Sequence, residues 1–185
     1  MTSPEKKQNN IQALLKKELG IANIHQVPCV EKVVVNMGIG KTLSGADKQQ
    51  RESLLAEATK CITLITGQKP ETRLAKQSIA GFKLREGEVV GLRVTLRKQR
   101  MYDFIDRLVK MIFPRVRDFR GLPLTIVDPR GILNIGMKEH VVFPELSQEE
   151  FRKIYGIEIT VVPSTRKRDH AIALYRAHGF PLRHE

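Results

Sequence analysis

The chain has 185 residues, 41% of them hydrophobic, which is apolar material enough for a core and excludes a wholly disordered polypeptide. Against 20 Asp and Glu stand 32 Lys and Arg, a formal charge of +12 that attracts polyanions, nucleic acid first and an anionic membrane surface second. Cys29 and Cys61 make neither a disulfide framework nor a C-x-x-C pair, and the longest apolar run, Ala171 to Tyr175, is far short of the about 20 residues of a membrane span. The expectation is one soluble, intracellular domain over 1–185, without targeting segment, in which both thiols are small core fillers.

Ser3-Pro4-Glu5 reads as a helix start, and Ile11, Leu14, Leu15 and Leu19 form a stripe that Gly20 ends, which predicts an N-terminal helix within 1–22. Val30 to Met37 predicts a strand with Val33, Val35 and Met37 on one face and Lys32, Val34 and Asn36 on the other. Leu54, Leu55, Ala58, Cys61, Ile62 and Ile65 repeat at helical spacing before Gly67. Strands are predicted over Glu71–Ala75 and Val89–Arg97; in the second, Val90, Leu92, Val94 and Leu96 alternate with a face carrying Arg93, Thr95 and Arg97. A helix from Met101 to Ile112 is stopped by Pro114. Residues 115–146 read as irregular, with short strands near Leu124 and Val141, and Ser147-Gln148-Glu149-Glu150 has capping-box spacing for a short helix. A strand over Ile157–Val162 and a helix over Asp169–His178, closed by Gly179, complete the chain. The fold class is α+β: a mainly antiparallel sheet with helices packed on one face and a long basic loop.

No catalytic, cofactor or metal constellation emerges. Gly38-Ile39-Gly40-Lys41-Thr42 lacks the glycine a phosphate loop needs at Val35, so it reads as a flexible strand-to-helix turn. Ser164-Thr165-Arg166-Lys167 has S-x-x-K spacing without its companion motifs and reads as a helix start beside a basic cluster. His170 and His178 lie too far apart along one helix to share a metal ion and read as solvated or RNA-facing.

The cations carry more. Between two strands, Lys76, Gln77, Ser78, Ala80, Gly81, Phe82, Lys83 and Arg85 belong to a protruding loop over 76–88, longer than a strand connection requires. Its cations and small residues suit phosphate and sugar contact with close backbone approach. Further groups are Arg115, Arg117 and Arg120, and Arg166, Lys167 and Arg168.

Several strings then occur in one order: Gln26-Val27-Pro28, Glu31 to Gly40, Gly67-Gln68-Lys69-Pro70, Ser78 to Lys83, Val94-Thr95-Leu96-Arg97, Pro114 to Gly121 and Phe143-Pro144-Glu145. Together they resemble the large-subunit ribosomal protein five family in its bacterial form. The resemblance implies a non-enzymatic, cofactor-free protein of the cytoplasmic ribosome. Its implied partners are 5S rRNA and large-subunit rRNA in the central protuberance, tRNA in the peptidyl site and a small-subunit head protein, with no membrane partner. Asn36, Gln68 and Thr95 are the implied 5S contacts, since amide and hydroxyl groups both donate and accept and can read ribose hydroxyls and base edges. Lys32, Arg93 and Arg97 lie on the same strand faces, and the loop at 76–88 matches the segment that reaches tRNA. The bridge to the small subunit is sought within 113–146. Cys29 replaces a commonly basic position, and Gly131-Ile132-Leu133-Asn134-Ile135-Gly136 replaces a more polar pattern.

Overall fold

A computed structural model describes residues 4–43, 47–82, 84–146, 151 and 153–183. In chain order come helix α1 (Pro4–Glu18), strand β1 (Val30–Gly38), the short helix α2 (Gly40–Leu43), helix α3 (Lys48–Thr66), strands β2 (Glu71–Leu74) and β3 (Val89–Leu96), helix α4 (Lys98–Arg107), strands β4 (Leu133–Met137) and β5 (Ile157–Pro163), and helix α5 (Arg168–Ala177). The strands form one five-stranded antiparallel sheet in the order β2-β3-β1-β5-β4, the α+β class that the alternation of strand and helix periods predicts. Backbone contacts divide the chain into two compact units, the first comprising 1–33, 96–135 and 160–185 and the second 34–95 and 136–159.

In the first unit, α1 packs against α4 and α5. Leu15 is fully buried on α1, while Leu14, one residue away, is 55% exposed. On α5, Ala171, Leu174 and Tyr175 are buried, and the Tyr175 hydroxyl lies 2.7 Å from the Gly131 carbonyl and 3.1 Å from that of Val161. Gly131 has φ +83°, and a Cβ there would fall 2.7 Å from Ala171 Cβ, so this turn admits only glycine.

In the second unit, Ala58, Cys61, Ile62 and Ile65 bury one face of α3, and Gly67 ends the helix with φ 66° as its N–H returns to the Thr63 carbonyl. Each isoleucine of this face, taken fully out of water, contributes about 1.5–3 kcal/mol. Burial pushes the Cys61 thiol up to about 12. Gly91 of β3 lies so near β1 that a Cβ would stand 2.9 Å from the Met37 carbonyl oxygen.

The structure departs from the sequence expectations at several places. The helix expected to run to Ile112 is α-helical only to Arg107; Leu108–Ile112 form a π-helical turn and Phe113–Arg115 a 3-10 turn with Pro114 near its start. The wider turn keeps Leu108, Ile112 and Phe113 buried together before proline stops the helix. Near Leu124 and Val141 there are 3-10 turns rather than strands, and the strand of this region is β4. The chain at Gly38–Thr42 enters the short helix α2. The capping-box segment Ser147–Glu150, together with Ser3 and His184, lies outside the described residues.

Three polar assignments also change. His178 is buried and stacks on the Tyr102 ring at 6.0 Å, so it is not solvated. Cys29 is half-buried rather than a core filler, and its N–H donates to Ser164 Oγ at 3.1 Å while Ser164 N–H donates to the Cys29 carbonyl at 2.8 Å. Ser164 thus closes a strand pair, and the residue before α5 is Lys167, whose N–H donates to Thr165 Oγ1 at 3.2 Å.

Candidate nucleic-acid interface

The period-two pattern sets the site residues on the faces opposite the buried ones. In the second unit, Val35 and Met37 are buried and Asn36 is half-buried between them. Its Nδ2 donates to Glu158 Oε2 on β5 at 3.4 Å, a long bond that leaves the carboxamide oxygen available as an acceptor. Thr95 is half-buried between the buried Val94 and Leu96, and its hydroxyl meets no partner among the described residues.

Gln68 is placed by the end of α3. Its N–H donates to Thr66 Oγ1 at 3.3 Å, and that hydroxyl lies 2.7 Å from the Ile62 carbonyl. The backbone is held while the half-buried Gln68 side chain is unused among the described residues.

Arg93 is not a free cation. Its Nη2 donates to Glu71 Oε2 at 2.9 Å, and Arg73 Nη1 donates to Glu71 Oε1 at 3.0 Å. The hydrogen bond from Arg93, helped by the charges of both arginines, holds the Glu71 carboxyl below its ordinary value. Arg93 Nε is shielded from solvent without an acceptor among the described residues. Neither this pairing nor the role of Glu71 is visible from sequence spacing, because it joins positions 22 residues apart. In the first unit, Lys32 is half-buried on β1, and Arg97 is exposed at the junction of β3 and α4.

The loop following Ala75 is closed by its own hydrogen bonds. Ala75 N–H donates to the Glu88 carbonyl at 2.8 Å and Gly87 N–H to the Ala75 carbonyl at 3.0 Å. Farther out, Ile79 and Leu84 exchange backbone bonds of 2.9 and 3.2 Å around a 3-10 turn at Ala80–Phe82. Ser78 Oγ accepts from Glu86 N–H at 2.9 Å. At the base, Glu88 accepts from Arg85 N–H and pairs with Arg51 at 3.1 Å, contacts that hold its carboxyl below the usual range. Lys76, Gln77, Ser78, Ala80, Gly81 and Arg85 lie around this frame and all six are exposed; Lys83 lies outside the described residues.

Of the remaining basic groups, Arg168 serves the fold: it donates from Nη2 to the Leu124 carbonyl at 2.9 Å and from Nε to that of Val127 at 3.3 Å. Arg115, Arg117 and Arg120 are exposed. Among the described residues no cluster of His, Cys, Asp and Glu is placed to hold a metal ion, and no helix is long and apolar enough to cross a membrane.

Comparison with known proteins gives these surfaces a context. Residues 23–85 match the model of ribosomal protein L5, and residues 89–182 match the model of the C-terminus of the same ribosomal family. Among curated relatives, the large ribosomal subunit protein uL5 of Fusobacterium nucleatum is 47% identical over 91% of this chain and 89% of its own. That of Vesicomyosocius okutanii is 45% identical over 97% of both chains, and that of Francisella philomiragia 42% over 95% of both. Such proteins are structural components of the ribosome and not enzymes. With both parts of its length matched, the chain belongs to the ribosomal protein L5 family of the large ribosomal subunit.

Proposed function

We infer that the chain is a structural RNA-binding protein of the large subunit in the cytoplasmic ribosome, and that it binds 5S rRNA and helps to anchor it in the central protuberance. Asn36, Gln68 and Thr95 supply the hydrogen bonds that discriminate, and Lys32, Arg93 and Arg97 supply positive charge. The observation that carries this reading is the set of unspent polar groups. Gln68 and Thr95 make no side-chain bond among the described residues, and Asn36 makes only one long one. Polar groups that the fold leaves unbonded and partly exposed can exchange water for an RNA partner without breaking a bond within the protein.

The loop at 76–88 contacts tRNA in the peptidyl site. Its Lys76, Gln77 and Arg85 and the small Ala80 and Gly81 ride on a hydrogen-bonded frame, which favours a protruding probe for a polyanion. A protein of the small-subunit head meets the chain within 113–146. The test of the central reading is filter binding of 5S rRNA against a random RNA of equal length. Preference for 5S rRNA supports it, and equal affinity leaves only a basic surface.

A further inference from the structure

Arg115, Arg117 and Arg120 differ from the arginines of the sheet edge in one respect. Arg73 and Arg93 share Glu71, and Arg51 pairs with Glu88, so these charges are already partly answered within the protein. No carboxylate among the described residues pairs with Arg115, Arg117 or Arg120, and all three are exposed. Yet their segment is well fixed. The Phe113 and Phe119 rings stack at 5.2 Å with planes 7° apart, and Phe180 meets Phe113 edge-on at 6.2 Å. Leu122 N–H donates to the Pro181 carbonyl at 2.8 Å, Arg183 N–H to the Leu122 carbonyl at 2.9 Å, and Arg183 Nε to the Arg120 carbonyl at 2.9 Å. All of these residues belong to the first unit.

We propose that Phe113–Gly121, tied to the C-terminal segment Phe180–Arg183, is a second RNA-binding surface that grips the phosphate backbone of ribosomal RNA without reading its sequence. A fixed backbone lowers the ordering cost of each arginine, and planar guanidinium groups match phosphate oxygens in pairs. A protein partner fits less well. Protein interfaces centre on exposed aromatic or aliphatic anchors; here Phe113 and Phe180 are turned into the core, Val116 and Phe119 are half-buried, and the exposed side chains are Pro114, Asp118 and the three arginines. The remainder of 113–146 stays free for the inter-subunit contact.

The test uses the full chain with Arg115, Arg117 and Arg120 all replaced by Gln, and measures binding to 5S rRNA and to random RNA of equal length across KCl concentrations. Both affinities should fall by the same factor, so the discrimination ratio is unchanged. The log-log salt slope should become shallower by roughly 0.7–0.9 for each phosphate that is no longer neutralised. Replacing all three by Lys should retain most of the slope. Arg117→Gln alone should reduce it by about one phosphate's worth, which keeps the test valid if the triple Gln variant folds poorly. An unchanged slope overturns the proposal, as does intact RNA binding with loss of subunit joining, which would make the partner a protein. The ratio between the RNAs tests the 5S reading; the slope tests this one.

Discussion

Glu71 and Arg93 are Cα partners across the β2–β3 ladder, and the carboxylate that takes Arg93 Nη2 at 2.9 Å also takes Arg73 Nη1 at 3.0 Å. One acid thus masks two cations beside the proposed 5S contacts of the second unit. Removing its charge should unmask both. Glu71→Gln is expected to steepen the salt slope of RNA binding by up to about two phosphates' worth, with little change in melting temperature because the pairs are exposed. Arg93→Ala should alter the slope by less than one phosphate's worth. Weaker binding by Glu71→Gln at every salt concentration would mean instead that Glu71 positions Arg93 for RNA.

Thr95→Ala and Asn36→Ala should each weaken 5S binding by about 1–3 kcal/mol, a several-fold to hundredfold rise in Kd, if RNA satisfies these groups. Neither side chain fills the core, so urea unfolding midpoints should stay close to the parent's. Unfolding of Thr95→Ala with unaltered affinity per folded molecule would show that the side chain supports the protein, not the RNA.

Replacing Lys76–Gly87 by a short Gly-Ser turn should leave 5S binding nearly intact, because β2 and β3 retain their own ladder. The Ala75–Glu88 clamp marks where the graft should join. The loss should appear as faster tRNA dissociation from the peptidyl site of reconstituted ribosomes. Unchanged dissociation, or a loss of 5S binding, would refute this division of labour.

His140 gives the fold a pH dependence. The ring is buried, its Nδ1 accepts from Tyr155 N–H at 3.1 Å, and Phe151 and Tyr155 lie against it. Burial holds its pKa below the usual value, outweighing Glu57 and Glu139, which pull upward. With the folded pKa below the unfolded one, the unfolded chain binds more protons between the two values. The stability His140 lends is therefore complete above its unfolded pKa, about 6.5, and is lost as pH falls from there toward the lower folded value. Melting temperature should drop on acidification through this window, and His140→Gln, whose amide oxygen can still accept from Tyr155 N–H, should flatten the drop. An identical profile in the variant would place the sensitivity elsewhere.

What could be read from sequence followed the strength of the local period. Along β1 and β3 the alternation separates Val35, Met37, Val94 and Leu96 from Asn36 and Thr95, and the structure keeps that separation. Strand β4 carried the same signal, with Leu133, Ile135 and Met137 buried in alternation, but Gly131 and Gly136 made the stretch resemble a loop. The stacking of Tyr102 on His178, the sharing of Glu71 by two arginines and the clamp at the base of the loop join residues far apart in the chain. No local pattern announces such pairs, since they exist only once the strands and helices are packed.

The π turn after α4 has a consequence for length variation in this chain. Phe113 N–H reaches back five residues to the Leu108 carbonyl, so this stretch holds one residue more than an α-helix would need to close the turn. Deleting a single residue between 108 and 112 would give ordinary helical bonding, at first sight an improvement. Because five residues of the π turn cover about the same rotation as four of an α-helix, the deletion would leave Phe113 close to its present direction, toward Phe119. The extra residue is a bulge absorbed within one turn, so a single deletion inside 108–112 should be tolerated, whereas one within Lys98–Arg107 would turn Phe113 by about 100° and re-aim the arginines that follow.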